Sequence, residues 1–223
     1  METMKDGPVA IITSGGGMKC AYSAGALVAL AEDLHITTPD IFVAASGSVG
    51  SMFYYLAGQY GDIKKVWTKY LPSRQFIRYG PIPALKINYM IDTISKEYLP
   101  LDLEKVEYSP TKFFVPVTDT KSGETRFISN DMWLNPYEVT RAATAIPLLY
   151  NGHVNLGSRS YLDGDFSTGI ADLITTAISA GAKRIICITN SDAPTKIGKA
   201  ILRIYGALLS PGLRKALIRD LEM

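Results

Sequence analysis

An α/β architecture built on a mainly parallel sheet follows from three features of this 223-residue chain. Short apolar runs at Val9–Thr13, Ile41–Ala45 and Arg184–Thr189 carry no polar alternation, as strands buried on both faces do. Ala- and Leu-rich helical patterns alternate with them. The joints between strand and helix are made of glycine and serine, which lets the two backbones pass closely. An apolar content of 47% supplies a large core, and the length fits one domain spanning residues 1–223.

The first run, Val9-Ala10-Ile11-Ile12-Thr13, is β-branched and continuous, hence a buried strand. Ser14-Gly15-Gly16-Gly17-Met18-Lys19 follows, then a helix over Cys20–Leu34. Within it the small residues Ala21, Ala24 and Gly25, with Val28, recur at helical spacing, so that face is expected to lie close on the sheet. Three glycines between strand and helix let backbone N–H groups approach a phosphate, a dinucleotide or an oxyanion. The dinucleotide fingerprint G-x-G-x-x-G fails at Cys20, and the Walker A pattern fails because Lys19 is followed by Cys20 rather than Ser or Thr. An oxyanion hole needs no more than Gly15, Gly16 and Gly17.

The second strand, Ile41–Ala45, runs into Ser46-Gly47-Ser48-Val49-Gly50-Ser51 and an apolar helix from Met52 to Ala57. Strand, sharp turn of small residues and buried helix make the outline of a nucleophile elbow, in which a serine hydroxyl stands exposed above the strand end. Two registers compete. Ser48 keeps the second glycine of G-x-S-x-G, at Gly50, and is the expected nucleophile; Ser46 lacks both glycines but follows the apolar run directly.

Beyond the elbow, Asp62–Tyr70 reads as a surface helix with Lys64, Lys65 and Lys69 exposed. Residues 71–86 carry Pro72, Pro81, Pro83 and Gly80, which argue against regular structure. Their Phe76, Ile77, Tyr79, Ile82 and Leu85 are too apolar for a plain linker and suggest a cap over the site or a contact with lipid. A helical pattern resumes over Ile87–Tyr98, and Lys112–Thr118 with Thr125–Ser129 forms a hairpin. Pro136–Ala145 is a helix capped by Asn135. A second hairpin, Asn151–Leu162, turns near Gly157-Ser158 and delivers Asp163-Gly164-Asp165 to a tight turn. A helix over Gly169–Ala180 ends at Gly181. The C-terminal segment, residues 196–223, contains an amphipathic helix, Lys196–Leu209, suited to peripheral contact with anionic lipid.

Several classes are disfavoured. A net charge of +2 gives no basic surface for nucleic acid. Only two cysteines, Cys20 and Cys187, occur, in segments that look internal, and no apolar signal segment opens the chain. A reduced, cytoplasmic protein is the expectation, with membrane contact at most peripheral. No metal-ligand spacing is present and no cofactor is expected.

A serine nucleophile needs a base. The two histidines, His35 and His153, fit poorly, since His153 precedes Asp163 and the Ser–Asp–His order of α/β hydrolases cannot be built. A buried aspartate can take the serine proton directly. Asp163 is the candidate and Asp165 the neighbour to exclude, although either also suits a turn or cap.

Gly15-Gly16-Gly17-Met18-Lys19, the strand–serine–helix elbow and Asp163-Gly164, in that order, resemble the patatin-like phospholipases, as does Ala142-Ala143-Thr144-Ala145-Ile146-Pro147. The likeness runs from Val9 to Thr189. It implies a three-layer α/β/α fold, a Ser48–Asp163 dyad without histidine, an oxyanion hole at Gly15–Gly17 with Lys19 beside the substrate, and hydrolysis of phospholipid or other acyl esters. Ser46, Cys20 and Asp165 depart from the family pattern. A phosphate- or lipid-binding module, or an inactive relative, is the alternative.

Overall fold

The computed structural model describes residues 7–78, 84–132, 134–146, 150 and 153–190. The C-terminal helix expected at 196–209 lies outside them, as does the middle of the 71–86 segment. At its centre four parallel strands stand in the order β5 (Lys112–Asp119), β2 (Ile41–Ala44), β1 (Val9–Thr13) and β9 (Arg184–Ile188). Antiparallel strands extend the sheet: β6 (Thr125–Ser129) on β5, and β7 (Val154–Leu156) beside β8 (Arg159–Asp163).

Because side chains alternate along a strand, the sheet sorts its residues into two cores. Ile11, Phe42 and Ala44 face the larger one, where α1 (Ala21–Glu32), α2 (Val49–Leu56) and α5 (Pro136–Ala143) pack. Ala10, Ile12, Ile41 and Val43 face the other, against Leu173 and Ala177 of α6 (Ile170–Ser179). Helices on both faces make three layers, the fold class expected from the sequence.

The expected elements recur with instructive differences. α1 begins at Ala21 after a tighter turn, Gly17–Cys20, and only part of its small-residue set meets the sheet. Ala24 and Val28 are buried, whereas Ala21 and Gly25 are exposed. Asn135 caps α5 by accepting the Tyr137 N–H at 2.9 Å, with Pro136 in its first turn. α3 (Tyr60–Lys65) continues through wider turns to Tyr70 with its lysines exposed, as expected. A short helix, α4 (Leu103–Glu107), was not expected. The segment read as irregular holds a short antiparallel ribbon, β3 (Ile77–Arg78) with β4 (Ala84–Leu85), joined by Lys86 N–H to Phe76 C=O. After it comes a wide-turn helix, Tyr89–Tyr98. β9 was expected to be buried but is mostly half-buried, because among the described residues it pairs on one edge only, with β1. Cys187 is accordingly exposed, while Cys20 is buried.

One topological detail fixes the site. β6 runs along one edge of β5, while β2 and β8 share the other edge. Val43 pairs with Phe114 and Asp163 with Val117, so the rising end of β2 and the descending end of β8 meet head to head. Gly164 passes directly over the Pro116 carbonyl, leaving no space for a Cβ.

Two glycines therefore predict opposite outcomes in denaturant unfolding. Gly164→Ala should lose several kcal/mol or fail to fold, since backbone stands where its methyl would lie. Gly25→Ala, exposed in mid-helix with open space around it, should gain about 1 kcal/mol.

Candidate active site

Ser46 sits two residues past the end of β2 with φ of 49°, a left-handed conformation uncommon for serine. That turn lets the chain leave the strand and enter α2 within four residues. It aims the Ser46 hydroxyl at the end of β8, where Oγ donates a 2.6 Å hydrogen bond to Oδ2 of Asp163. Both residues are almost wholly buried.

This geometry corrects the elbow register. Ser48, the expected partner of Asp163, is turned away from it. Its Oγ donates to the Ser14 carbonyl at 2.8 Å, accepts from Nδ2 of Asn190 at 3.2 Å and lies 3.0 Å from the Ser23 hydroxyl. A Ser48 register requires the tight strand–helix approach to fall at Gly50, yet a Cβ there would meet only Thr140 Cγ2, at 3.9 Å. The close approach is at Gly47, where a Cβ would lie 3.0 Å from the Gly17 carbonyl oxygen and 3.1 Å from Cys20 Sγ. Ser48 stands where a glycine was expected and turns the contact with the first loop into a hydrogen bond.

Asp163 is held from several sides. Its Oδ1 accepts the Asp165 N–H at 2.9 Å, its own N–H donates to Ala145 C=O, and its carbonyl accepts the Thr118 hydroxyl at 2.8 Å. Turn-capping and pairing with serine, treated as alternatives in the sequence, are both carried by this one side chain. Burial pushes its acid up to about 7; the Ser46 hydroxyl and the Asp165 amide, which favour the carboxylate, oppose that shift only in part. Asp165 is itself exposed and its carboxylate packs on Gly15.

The glycine loop lies across the cleft from this pair. Gly16 and Gly17 have φ of 146° and 58°, which other residues adopt only with strain. Ser14 is tied down, its N–H to Ile188 C=O and its carbonyl to Asn190 Nδ2 at 2.6 Å. Among the described residues, the amides of Gly15, Gly16 and Gly17 take no acceptor. Lys19 is exposed, and its backbone N–H donates to Gly16 C=O. Cys20, in the place of a loop glycine, is inert packing: burial pushes its thiol up to about 12. His35 and His153 are both exposed. Among the described residues no His, Cys, Asp and Glu side chains cluster as metal ligands would.

Gly17, Met18, Ser46 and Gly47 open onto a small apolar cleft with a volume of about 30 Å³. Leu71, Phe76 and Leu85, from the segment suspected of forming a cap, line it together with Ile87 and Met90. Asn190 and Trp67 are not among the residues expected from the sequence. Asn190 could have been sought as the polar residue just past a parallel strand, where such sheets build their sites.

No protein-family model matches this sequence. The uncharacterized protein YjjU of Escherichia coli (strain K12) is 25% identical over 198 residues, 84% of this chain and 53% of YjjU. Among solved structures, VipD from Legionella pneumophila superposes with a TM-score of 0.54 at 15% identity, over 90% of this chain and 53% of VipD's. The fold is patatin-like. That likeness is one of fold alone, and the chain spans about half the length of either relative. Among the described residues no helix is long and apolar enough to cross a membrane.

The raised acidity constant of Asp163 makes a stability prediction. Its folded-state value exceeds the unfolded one, so the contribution of Asp163 to stability is fully present below the usual carboxylate range and is lost as pH rises toward about 7. Asp163→Asn carries no such charge and keeps an acceptor for the Asp165 amide. Thermal melts should show the variant gaining on wild type by a few kcal/mol between pH 4 and pH 8, or several degrees. A variant that loses ground at the higher pH would contradict the buried-charge account.

Proposed function

We propose that the protein is a serine-dependent carboxylic ester hydrolase acting on lipid acyl esters, of the phospholipase A or lysophospholipase kind, with Ser46 as nucleophile and Asp163 as its base. The observation that carries this reading is the buried 2.6 Å hydrogen bond from Ser46 Oγ to Asp163 Oδ2, at a strained turn facing an apolar cleft. A solvent-exposed pair of this kind would be a poor base, because an ordinary aspartate is too weakly basic. Here burial supplies the basicity.

In the first step Asp163 accepts the Ser46 proton as Oγ attacks the ester carbonyl. The carbonyl oxygen becomes an oxyanion, for which the amides of Gly15 to Gly17 are the donors, each worth about 3 kcal/mol. The N-termini of α1 and α2 lie beside the same cleft and favour negative charge there. Collapse of this intermediate breaks the ester bond, and the leaving alkoxide takes the proton from Asp163. Water, deprotonated by Asp163, then attacks the acyl-enzyme, and Ser46 is released with its proton restored. An apolar cleft beside the nucleophile favours an acyl chain over a polar substituent, and the resemblance to patatin-like phospholipases points the same way.

Ser46→Ala should lower turnover of a p-nitrophenyl acyl ester by a factor of about 10³ or more. Ser48→Ala should keep part of the activity while losing about 1–3 kcal/mol of stability, because Ser14, Ser23 and Asn190 lose a shared partner. A fluorophosphonate probe should label Ser46, read by peptide mass. Label on Ser48, or on neither, would overturn the assignment.

The pH profile gives a second check. The base works as carboxylate, so kcat/KM should rise through about pH 7 and level above it. A profile flat from pH 5 to pH 8 would remove Asp163 from the role of base.

A further inference from the structure

Two apolar cavities meet beneath α2, and they are separate. Each is small, with a volume of about 30 Å³. The first is lined by Ser46. The second runs along Gly50, Ser51 and Tyr54 and does not reach Ser46. Gly47, Trp67, Leu71 and Met90 line both and therefore lie between them. Gly47 is backbone of the elbow and Leu71 is fully buried core. The wall is left to the half-buried side chains of Trp67 and Met90.

We propose that Trp67 and Met90 form a partition that limits the length of acyl chain this site accepts. The proposal rests on the hydrolase reading of Ser46 and Asp163. A short acyl chain joined at Ser46 fills the first cavity and stops at the indole. Trp67 is a fixed wall rather than a swinging one, because its Nε1–H donates to Ser51 Oγ on α2 at 2.8 Å. A purely apolar residue of similar bulk would lack that anchor. The indole stands on the wide-turn stretch Val66–Tyr70. Met90 closes the remaining gap from the start of the helix Tyr89–Tyr98, with the unbranched thioether that suits an irregular space. Behind the wall the second cavity is lined mostly by apolar side chains, Phe53, Ile63 and Ile91 among them, so removing the wall joins two compatible spaces.

The test compares p-nitrophenyl butyrate, octanoate and dodecanoate, each below its micellar concentration, and reads the ratio of kcat/KM for dodecanoate to that for butyrate. One methylene more or less in an apolar pocket changes specificity by about tenfold or more. Trp67→Ala and Met90→Ala should each raise the ratio by at least about tenfold, whereas Trp67→Phe, which keeps a ring in the wall but loses the bond to Ser51, should raise it less. Circular dichroism and melting establish which variants are folded; if Trp67→Ala is not, Met90→Ala carries the test. A folded variant with an unchanged ratio overturns the partition. Absence of ester turnover by the wild type would instead count against the hydrolase reading. The ceiling is then read from thermal shifts with free butyrate, octanoate and dodecanoate: dodecanoate should stabilise the alanine variants more than wild type, and equal shifts overturn the proposal.

Discussion

Everything in the candidate site follows from β2 and β8 sharing one edge of β5 from opposite ends. β2 stops at Ala44 and β8 at Asp163, and only a narrow gap separates the two termini. A chain leaving β2 in the ordinary extended direction would run into β8. It turns instead through a left-handed residue, Ser46, whose side chain then has one place to go, the carboxylate of Asp163. Gly164 completes the constraint, since the chain leaving β8 must cross the Pro116 carbonyl at a distance that excludes a side chain. The short hydrogen bond is thus a product of strand topology as much as of the two residues that make it.

Around that bond the sequence has been arranged to hold the first glycine loop still. Ser48 and Asn190 converge on Ser14, with Ser23 bonded to both of them, and tie three segments together: the loop after β1, the elbow after β2 and the end of β9. Each of those strands belongs to the parallel core, so the network joins their C-terminal ends at the layer where α/β sheets place ligands. With Ser14 anchored on one side and Lys19 N–H bonded to Gly16 on the other, the glycine amides have little freedom. Donors fixed before a charge develops need not reorganise as it forms, which is the condition for strong stabilisation of an oxyanion.

The layers, the parallel core, both hairpins and the cap of α5 were legible in the sequence because each is local: apolar continuity, turn residues, an Asn before a Pro. Asp163 was legible as well, as the carboxylate of a tight turn late in the chain. The serine register was not. It depends on where strand, helix and glycine loop pass closest, and that distance is set by three segments far apart in sequence. Gly50 looked like the point of contact because the usual motif places a glycine there, whereas Gly47 is the residue under pressure, from Gly17 and Cys20. Gly25 misled for the same reason. Small residues at helical spacing suggested one face on the sheet, yet four-residue spacing on a short helix is shared by neighbouring faces, and Ala24 with Val28, not Ala21 with Gly25, faces inward.

The cover over the site links these features energetically. Asp163 is almost wholly kept from water, and Leu71, Phe76 and Leu85 line the apolar cleft onto which Ser46 opens. They come from a segment whose own hydrogen bonds include a two-residue ribbon, β3 with β4, and a backbone bond from Lys86 to Phe76. Burial of a carboxylate weakens the fold, and the same burial gives Asp163 its basicity, so the segment that excludes water from the site governs both.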